Sequence, residues 1–326
     1  MYLESPKKFN MLVEQAHQVA LNVLRPISRK YDKAEHEYPK ELDMLASLLD
    51  GMNEGAPGSA GATSATGGGA KDNTGEIKNG ANLSTVLGII EMCWGDCGLL
   101  LAMPRQGLGN AAIAAVANEE QLARFKGTWA AMAITEPGCG SDSAAITFTD
   151  CRVPAANLLG TPEVDVQKGF AGVMQTFDNT RPLVAGMALG VARASLDRTR
   201  ELLKDHLSPN YSKPMLTASH AEATLNRLEA EWEAAKLLTL KAAWMADNKI
   251  PNSKEASMAK AKAGRVGNEI TLKCVELCGA AGYLEDELLE KWARDSKILD
   301  IFEGTQQIQL LIIARRLLNK SSAELK

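Results

Sequence analysis

No apolar run in this 326-residue sequence is long enough to cross a bilayer as a helix. Excess positive charge is missing too. The 36 Lys and Arg stand against 40 Asp and Glu, a formal net charge of -4, so nothing recommends nucleic acid or an anionic membrane as partner. The opening stretch MYLESPKKFNMLVEQAHQVALNVLRPISRKY (1–31) lacks the continuous apolar core and small-residue cleavage site of a secretory leader, and a cytoplasmic location is expected. There are only six cysteines. Cys93/Cys97 and Cys274/Cys278 fall four apart on helical stretches, whereas zinc sites favour tighter spacing, so they read as buried thiols rather than metal ligands. Strand-like sequence is nearly absent: ITFTDCRVP (146–154) is the one clear alternating run. No internal repeat is found.

What is present is helical period. It predicts helices over 7–31 and 38–50, the first with Leu12, Val13, Ala16, Val19, Ala20 and Val23 on one face. Pro26 should kink the first or end it early. Residues 51–82 are rich in Gly, Ala and Ser with little to bury, and read as a flexible loop. The GGGAK within it lacks the flanking strand and Lys-Ser/Thr ending of a phosphate loop. Helical signal returns over 83–102 and 106–126, and again over 166–205, 217–248, 253–279, 285–297 and 305–319. In 217–248 the apolar stripe Leu225, Leu228, Trp232, Ala235, Leu238 and Ala242 suits one member of an antiparallel bundle. The expected architecture is mainly α: an N-terminal helical domain (1–132), a turn-rich loop with a short strand (133–160), and a C-terminal antiparallel four-helix bundle (161–326).

Three stretches have the makings of chemistry. AITEPGCGSD (133–142) is a turn-rich loop with exposed backbone N–H groups, able to wrap an anionic or heteroaromatic ligand; on residue chemistry alone a plain surface loop is the better reading. In FDNTRPLVAG (177–186), Asp178 and Arg181 lie three apart on a helix, where Arg181 either holds a phosphate or pairs with Asp178. In DIFEGTQQIQLLIIARRLL (300–318), Glu303 precedes Gly304 and an apolar helix that Thr305 can cap. Glu303 is then either a solvated loop acid or a carboxylate held at a helix entrance and aimed at a bound group.

TEPGxGSD, VPxxNLLG (153–160), DxTRP and RDxKIxxIxEGTxQIQxxIIAR occur here in that order, and together they resemble the acyl-CoA dehydrogenase family, most closely over 266–316. The resemblance implies an FAD-dependent flavoprotein oxidoreductase of fatty acid metabolism and β-oxidation, with an acyl-CoA substrate. It implies removal of the α-proton by a carboxylate, transfer of the β-hydrogen to the flavin as hydride, and a trans-2-enoyl-CoA product. Glu303 matches the base. That role suits a desolvated, loop-fixed acid, because burial raises a carboxylate's pKa. Some family branches take the base from the DxTRP helix, where this chain has Thr180.

By matched position, Thr135, Gly140 and Ser141 are expected at the flavin, with Ser141 also near the CoA pyrophosphate. Asp178, Arg181 and Gly304 are expected at the acyl-CoA, Thr305 and Gln307 at FAD, and Glu276, Gly279 and Ala280 at the FAD of a neighbouring subunit. The resemblance also implies an electron-transfer flavoprotein as acceptor and a homo-oligomer, dimer or tetramer, or pairing with a related dehydrogenase chain.

The chain departs from the family pattern where a compact β domain should stand between TEPGxGSD and VPxxNLLG. The family's Arg-x-x-Phe-Gly strip is also missing. Glu276 and Ala280 replace the usual Gln and Gly, and a second carboxylate near a pyrophosphate would be repulsive. The alternative is therefore a catalytically silent helical subunit, or a truncated form, that partners a complete dehydrogenase.

Overall fold

The computed structural model describes residues 7–53, 80–104, 109–110, 113, 116–126, 128, 130, 147–160, 166–207, 218–321 and 324. Its labelled helices are α1 (Asn10–Val19), α2 (Arg25–Lys33), α3 (Glu41–Asn53), α4 (Ala81–Gly95), α5 (Cys97–Ala102), α6 (Glu119–Arg124), α7 (Val166–Leu202), α8 (His220–Asp247), α9 (Ser253–Cys278), α10 (Leu289–Ile298) and α11 (Gln306–Leu318). Helix dominates, as expected. No helix among the described residues is long and apolar enough to cross a membrane.

The three long helices α7, α8 and α9 pack on one another, and α4, α10 and α11 close around them. The stripe on α8 does what its period predicts: Leu225, Leu228, Ala235 and Ala242 are fully buried, Trp232 nearly so, and Leu238 lies against the same cluster. Each buried Leu contributes about 2 kcal/mol of burial free energy, which is why the stripe and not helix propensity decides the packing. The core is continuous. Leu83, Val86 and Ile90 of α4 share it with Val191, Ile270, Cys274 and Trp292. Cys93, Cys97 and Cys274 are buried within it, and burial pushes the Cys274 thiol up to about 12. Close approach of α7 to α4 depends on Gly190, where an added Cβ would lie 2.7 Å from Cys93 Cβ and 3.0 Å from the Trp94 backbone nitrogen.

Pro26 reads differently in the fold than in the sequence. Pro26 does not end the first helix. One wide π turn at Ala20–Leu24 precedes it and the helix runs on to Lys33. The extra residue rotates the face, so Leu24 is fully buried while Leu12 stays 42% exposed. Pro182 lies inside α7 without breaking it. Its ring cannot donate to the Asp178 carbonyl four residues back, and Asn252 Nδ2 supplies that contact at 3.3 Å.

Two predicted helices are split by caps. Asp96 interrupts 83–102 and accepts from the Leu99 N–H at 2.8 Å, starting α5. Asn118 and Gln121 form a reciprocal capping box that starts α6 inside the run 106–126. Within the region read as a flexible loop, 51–53 still belong to α3 and 81–82 to α4, and 54–79 lie outside the described residues. The strand expected over 146–154 is corrected: residues 147–154 are irregular, and Asp150 takes φ 49°. A strand needs a ladder partner. None is found among the described residues, and Phe148 and Val153 are 72% and 65% exposed.

The N-terminal helices are tied to α10 by buried charge. Arg25 lies over the Trp94 and Trp292 rings at 4.0 and 4.6 Å, and burial lowers its pKa to about 10. Lys291 pairs with Asp96 at 2.9 Å and with Asp295 at 2.5 Å, and Ser28 bonds Asp96. Two carboxylates thus share one ammonium. Burial, with Asp96 nearby, pushes Asp295 up to about 6 against the pull of Lys291. At the other end of α4, Gly80 has no side chain to cap with. Asp247, the last residue of α8, accepts from the N–H groups of Gly80, Asn82 and Leu83 at 2.9, 2.9 and 3.1 Å.

Candidate functional site

The turn that carries Glu303 is built from the end of α10 and the start of α11. Asp300 and Phe302 N–H groups still bond back to Lys297 and Ile298, and then the chain turns left-handed. Glu303 takes φ 58° and Gly304 φ 100°. The second angle is open to glycine at little cost. The first is uncommon for a residue with a Cβ and has to be held by its surroundings. Thr305 stands at the N-cap position with extended backbone, but its side chain makes no capping bond, which corrects the role expected of it. The Gln309 amide does the local satisfying instead. Its Nε2 donates to the carbonyls of Glu303 and Gly304, at 3.0 Å each.

Glu303 is half-buried and receives a hydrogen bond on Oε2 from the Thr180 hydroxyl of α7. Thr180 and Arg181 are 4% and 2% exposed. Arg181 Nη1 pairs with Asp178 Oδ1 at 2.7 Å, so the ion pair left open by the sequence is formed. Burial lowers the Arg181 pKa, while Asp178 and Glu303 pull it back up. Asp178 moves the other way: burial raises its carboxyl, against Arg181 and a bond from Ser253. Arg181 Nε is buried and has no hydrogen-bond partner among the described residues.

The fold therefore brings together Glu303, Gly304, Arg181 and Asp178. Thr305 is half-buried and Gln307 exposed on the first turn of α11, next to them. Glu276, Gly279 and Ala280 are not part of this cluster. They are exposed at the far end of α9, about 24 Å along the helix from Lys260, whose ammonium meets Gly304. Glu276 pairs with Lys273 at 2.5 Å, which offsets the repulsion expected of a second carboxylate there. Thr135, Gly140 and Ser141 lie outside the described residues.

Three residues of the site had no role in the sequence reading: Thr180, passed over because it cannot serve as a base, Lys260 and Gln309. Lys260 is fully buried and donates to the Gly304 carbonyl at 2.7 Å. A signal for it exists. It falls on the small, inward stripe of α9 with Ala256, Ala263 and Gly267, where Lys262 points elsewhere to pair with Glu231.

The family model described as "Acyl-CoA dehydrogenase, C-terminal domain" matches residues 167–318. The probable acyl-CoA dehydrogenase YngJ of Bacillus subtilis is 36% identical over 179 residues, 55% of this chain and 46% of that protein. The caffeyl-CoA reductase-Etf complex subunit CarC of Acetobacterium woodii is 36% identical over 183 residues, 56% of this chain and 46% of its own. The chain thus spans less than half the length of these curated relatives in the matched region. The butyryl-CoA dehydrogenase structure from Megasphaera elsdenii superposes with a TM-score of 0.74 at 22% identity, covering 98% of this chain and 100% of that one, which is a likeness of fold.

Proposed function

We propose that residues 167–318, which match the family model described as "Acyl-CoA dehydrogenase, C-terminal domain", act as such a domain, and that the chain carries out α,β-dehydrogenation of an acyl-CoA thioester to a trans-2-enoyl-CoA, with Glu303 as the base. The observation that carries this reading is the setting of Glu303: half-buried, in left-handed backbone, bonded by Thr180 and beside the buried Arg181. A thioester α-proton is weakly acidic. A base that removes it works best partly dry and fixed in direction, within reach of a C–H that offers no hydrogen bond to guide it. Thr180 fixes one carboxylate oxygen in direction. The buried Arg181, paired with Asp178, stands beside it.

Bound FAD would supply the acceptor for the β-hydride. The residues present fit it in part. Gln307 is exposed, Thr305 is half-buried, and the first turn of α11 carries no acid, a donor-rich setting for a phosphate or ribityl group. Thr135, Gly140 and Ser141 would complete the flavin side, Ser141 also meeting the CoA. Asp178, Arg181 and Gly304 would meet the acyl-CoA. Glu276, Gly279 and Ala280, set far along α9, would reach the FAD of a second subunit in a homo-oligomer. An electron-transfer flavoprotein is the acceptor we assign, supported by the name of the CarC relative.

Glu303→Gln is expected to abolish acyl-CoA-dependent dye reduction by the FAD-loaded protein while far-UV dichroism stays unchanged; persisting activity would mean that another group is the base. A second reading has its own observation. Phe148 and Val153 are bare where a sheet would cover them, as suits a silent subunit completed by a fuller dehydrogenase chain. A purified protein that stays colourless and takes up no added FAD would decide for that reading.

A further inference from the structure

We propose that Lys260 and Gln309 are positioning residues for Glu303, clamping the two carbonyls of its turn so that the carboxylate is held at one height and angle. This rests on the reading of Glu303 as base. The argument begins with cost. Lys260 is 0% exposed, and an ammonium taken out of water is unfavourable unless it gains strong partners. An apolar side chain of the same length would pack on α9 without that penalty, so packing does not explain a lysine there. The ammonium donates to the Gly304 carbonyl at 2.7 Å. Gln309 is 0% exposed as well, and its Oε1 is buried with no hydrogen-bond partner among the described residues. Its Nε2 is given to the Glu303 and Gly304 carbonyls. Two independently buried polar side chains, 49 positions apart by their numbers, thus converge on one two-residue turn. In that turn a side-chain-bearing residue, Glu303, sits left-handed.

The consequence is directional. With both carbonyls bound, the peptide planes on either side of Gly304 cannot rotate, and the direction in which Glu303 leaves the backbone is fixed before substrate arrives. Thr180 then restrains only the end of the side chain. Neither Lys260 nor Gln309 is asked to touch the reacting atoms.

The test uses Lys260→Met and Gln309→Leu, which keep the buried volume and remove the donors. Hydrogen–deuterium exchange of the amides over 300–309 is expected to accelerate about tenfold or more in each variant, with α8 within twofold of the parent. This measurement needs neither flavin nor activity. In the FAD-loaded protein, kcat should fall about ten- to a hundredfold with KM for acyl-CoA within threefold, and the isotope effect from α-deuterated substrate should rise. If one variant fails to fold, the other carries both measurements. Unchanged exchange over 300–309 would overturn the proposal, as would faster exchange with an undiminished kcat. Should Glu303→Gln prove active, the base reading falls by itself. The exchange result still decides whether the two side chains clamp the turn.

Discussion

Replacing Gly304 by alanine puts the geometry of this turn to a quantitative test. The new Cβ would sit in backbone at φ 100° and 2.5 Å from Gln309 Nε2. The left-handed conformation costs an alanine roughly 1–2 kcal/mol. The collision adds to it, because the amide has to leave two carbonyls that it bonds at 3.0 Å, each worth about 1 kcal/mol. The sum is about 3–4 kcal/mol, a large share of the ~5–15 kcal/mol that holds a folded protein together. A urea titration followed by helical ellipticity should show the midpoint falling with the slope unchanged. The same change in a Gln309→Ala background meets no amide, so only the backbone part, about 1–2 kcal/mol, should remain. Equal costs in the two backgrounds, or a Gly304→Ala effect below about 0.5 kcal/mol, would refute the account of the turn.

Gly190→Ala should destabilise by about 3 kcal/mol or more, read as a drop in melting temperature, because its Cβ meets Cys93 and the Trp94 backbone with no flexible side chain to yield. Asp295 sets a pH dependence. Its folded pKa, about 6, lies above its ordinary value of 3.8, so the folded state holds its proton longer than the unfolded chain does. That contribution is full below about pH 4 and is lost as pH rises through 6, by up to about 3 kcal/mol. Asp295→Asn should remove this component. The difference in urea midpoints between parent and variant should grow from pH 4 to pH 6.5, and a constant difference would contradict the shared-ammonium picture.

Much of the fold was legible because α7, α8 and α9 carry their apolar residues at helical spacing over many turns, a signal that isolated residues cannot blur. What was misread turned on single polar caps and missing partners. Asp96 breaks an apolar run whose period continues on both sides, so periodicity passed over it. The run 146–154 alternates like a strand, but alternation supplies no ladder partner. At the site, Glu303 stood out because Gly304 beside it is a local feature. Thr180 and Lys260 did not, since their partners lie 123 and 44 positions away, and neither residue type in its place announces a contact of that range.

The carboxylate of Asp247 bonds the start of α4 from 167 positions downstream. A helix that opens on glycine has no side chain at that position to cap its first N–H groups. During synthesis, then, the first turn of α4 has to wait: until α8 has emerged and docked, the N–H groups of Gly80, Asn82 and Leu83 face water. A fragment ending before residue 220 should leave those amides exchanging at unprotected rates, and protection in such a fragment would show that the helix had found another way to start. Assembly of this core is in that sense governed from its later half.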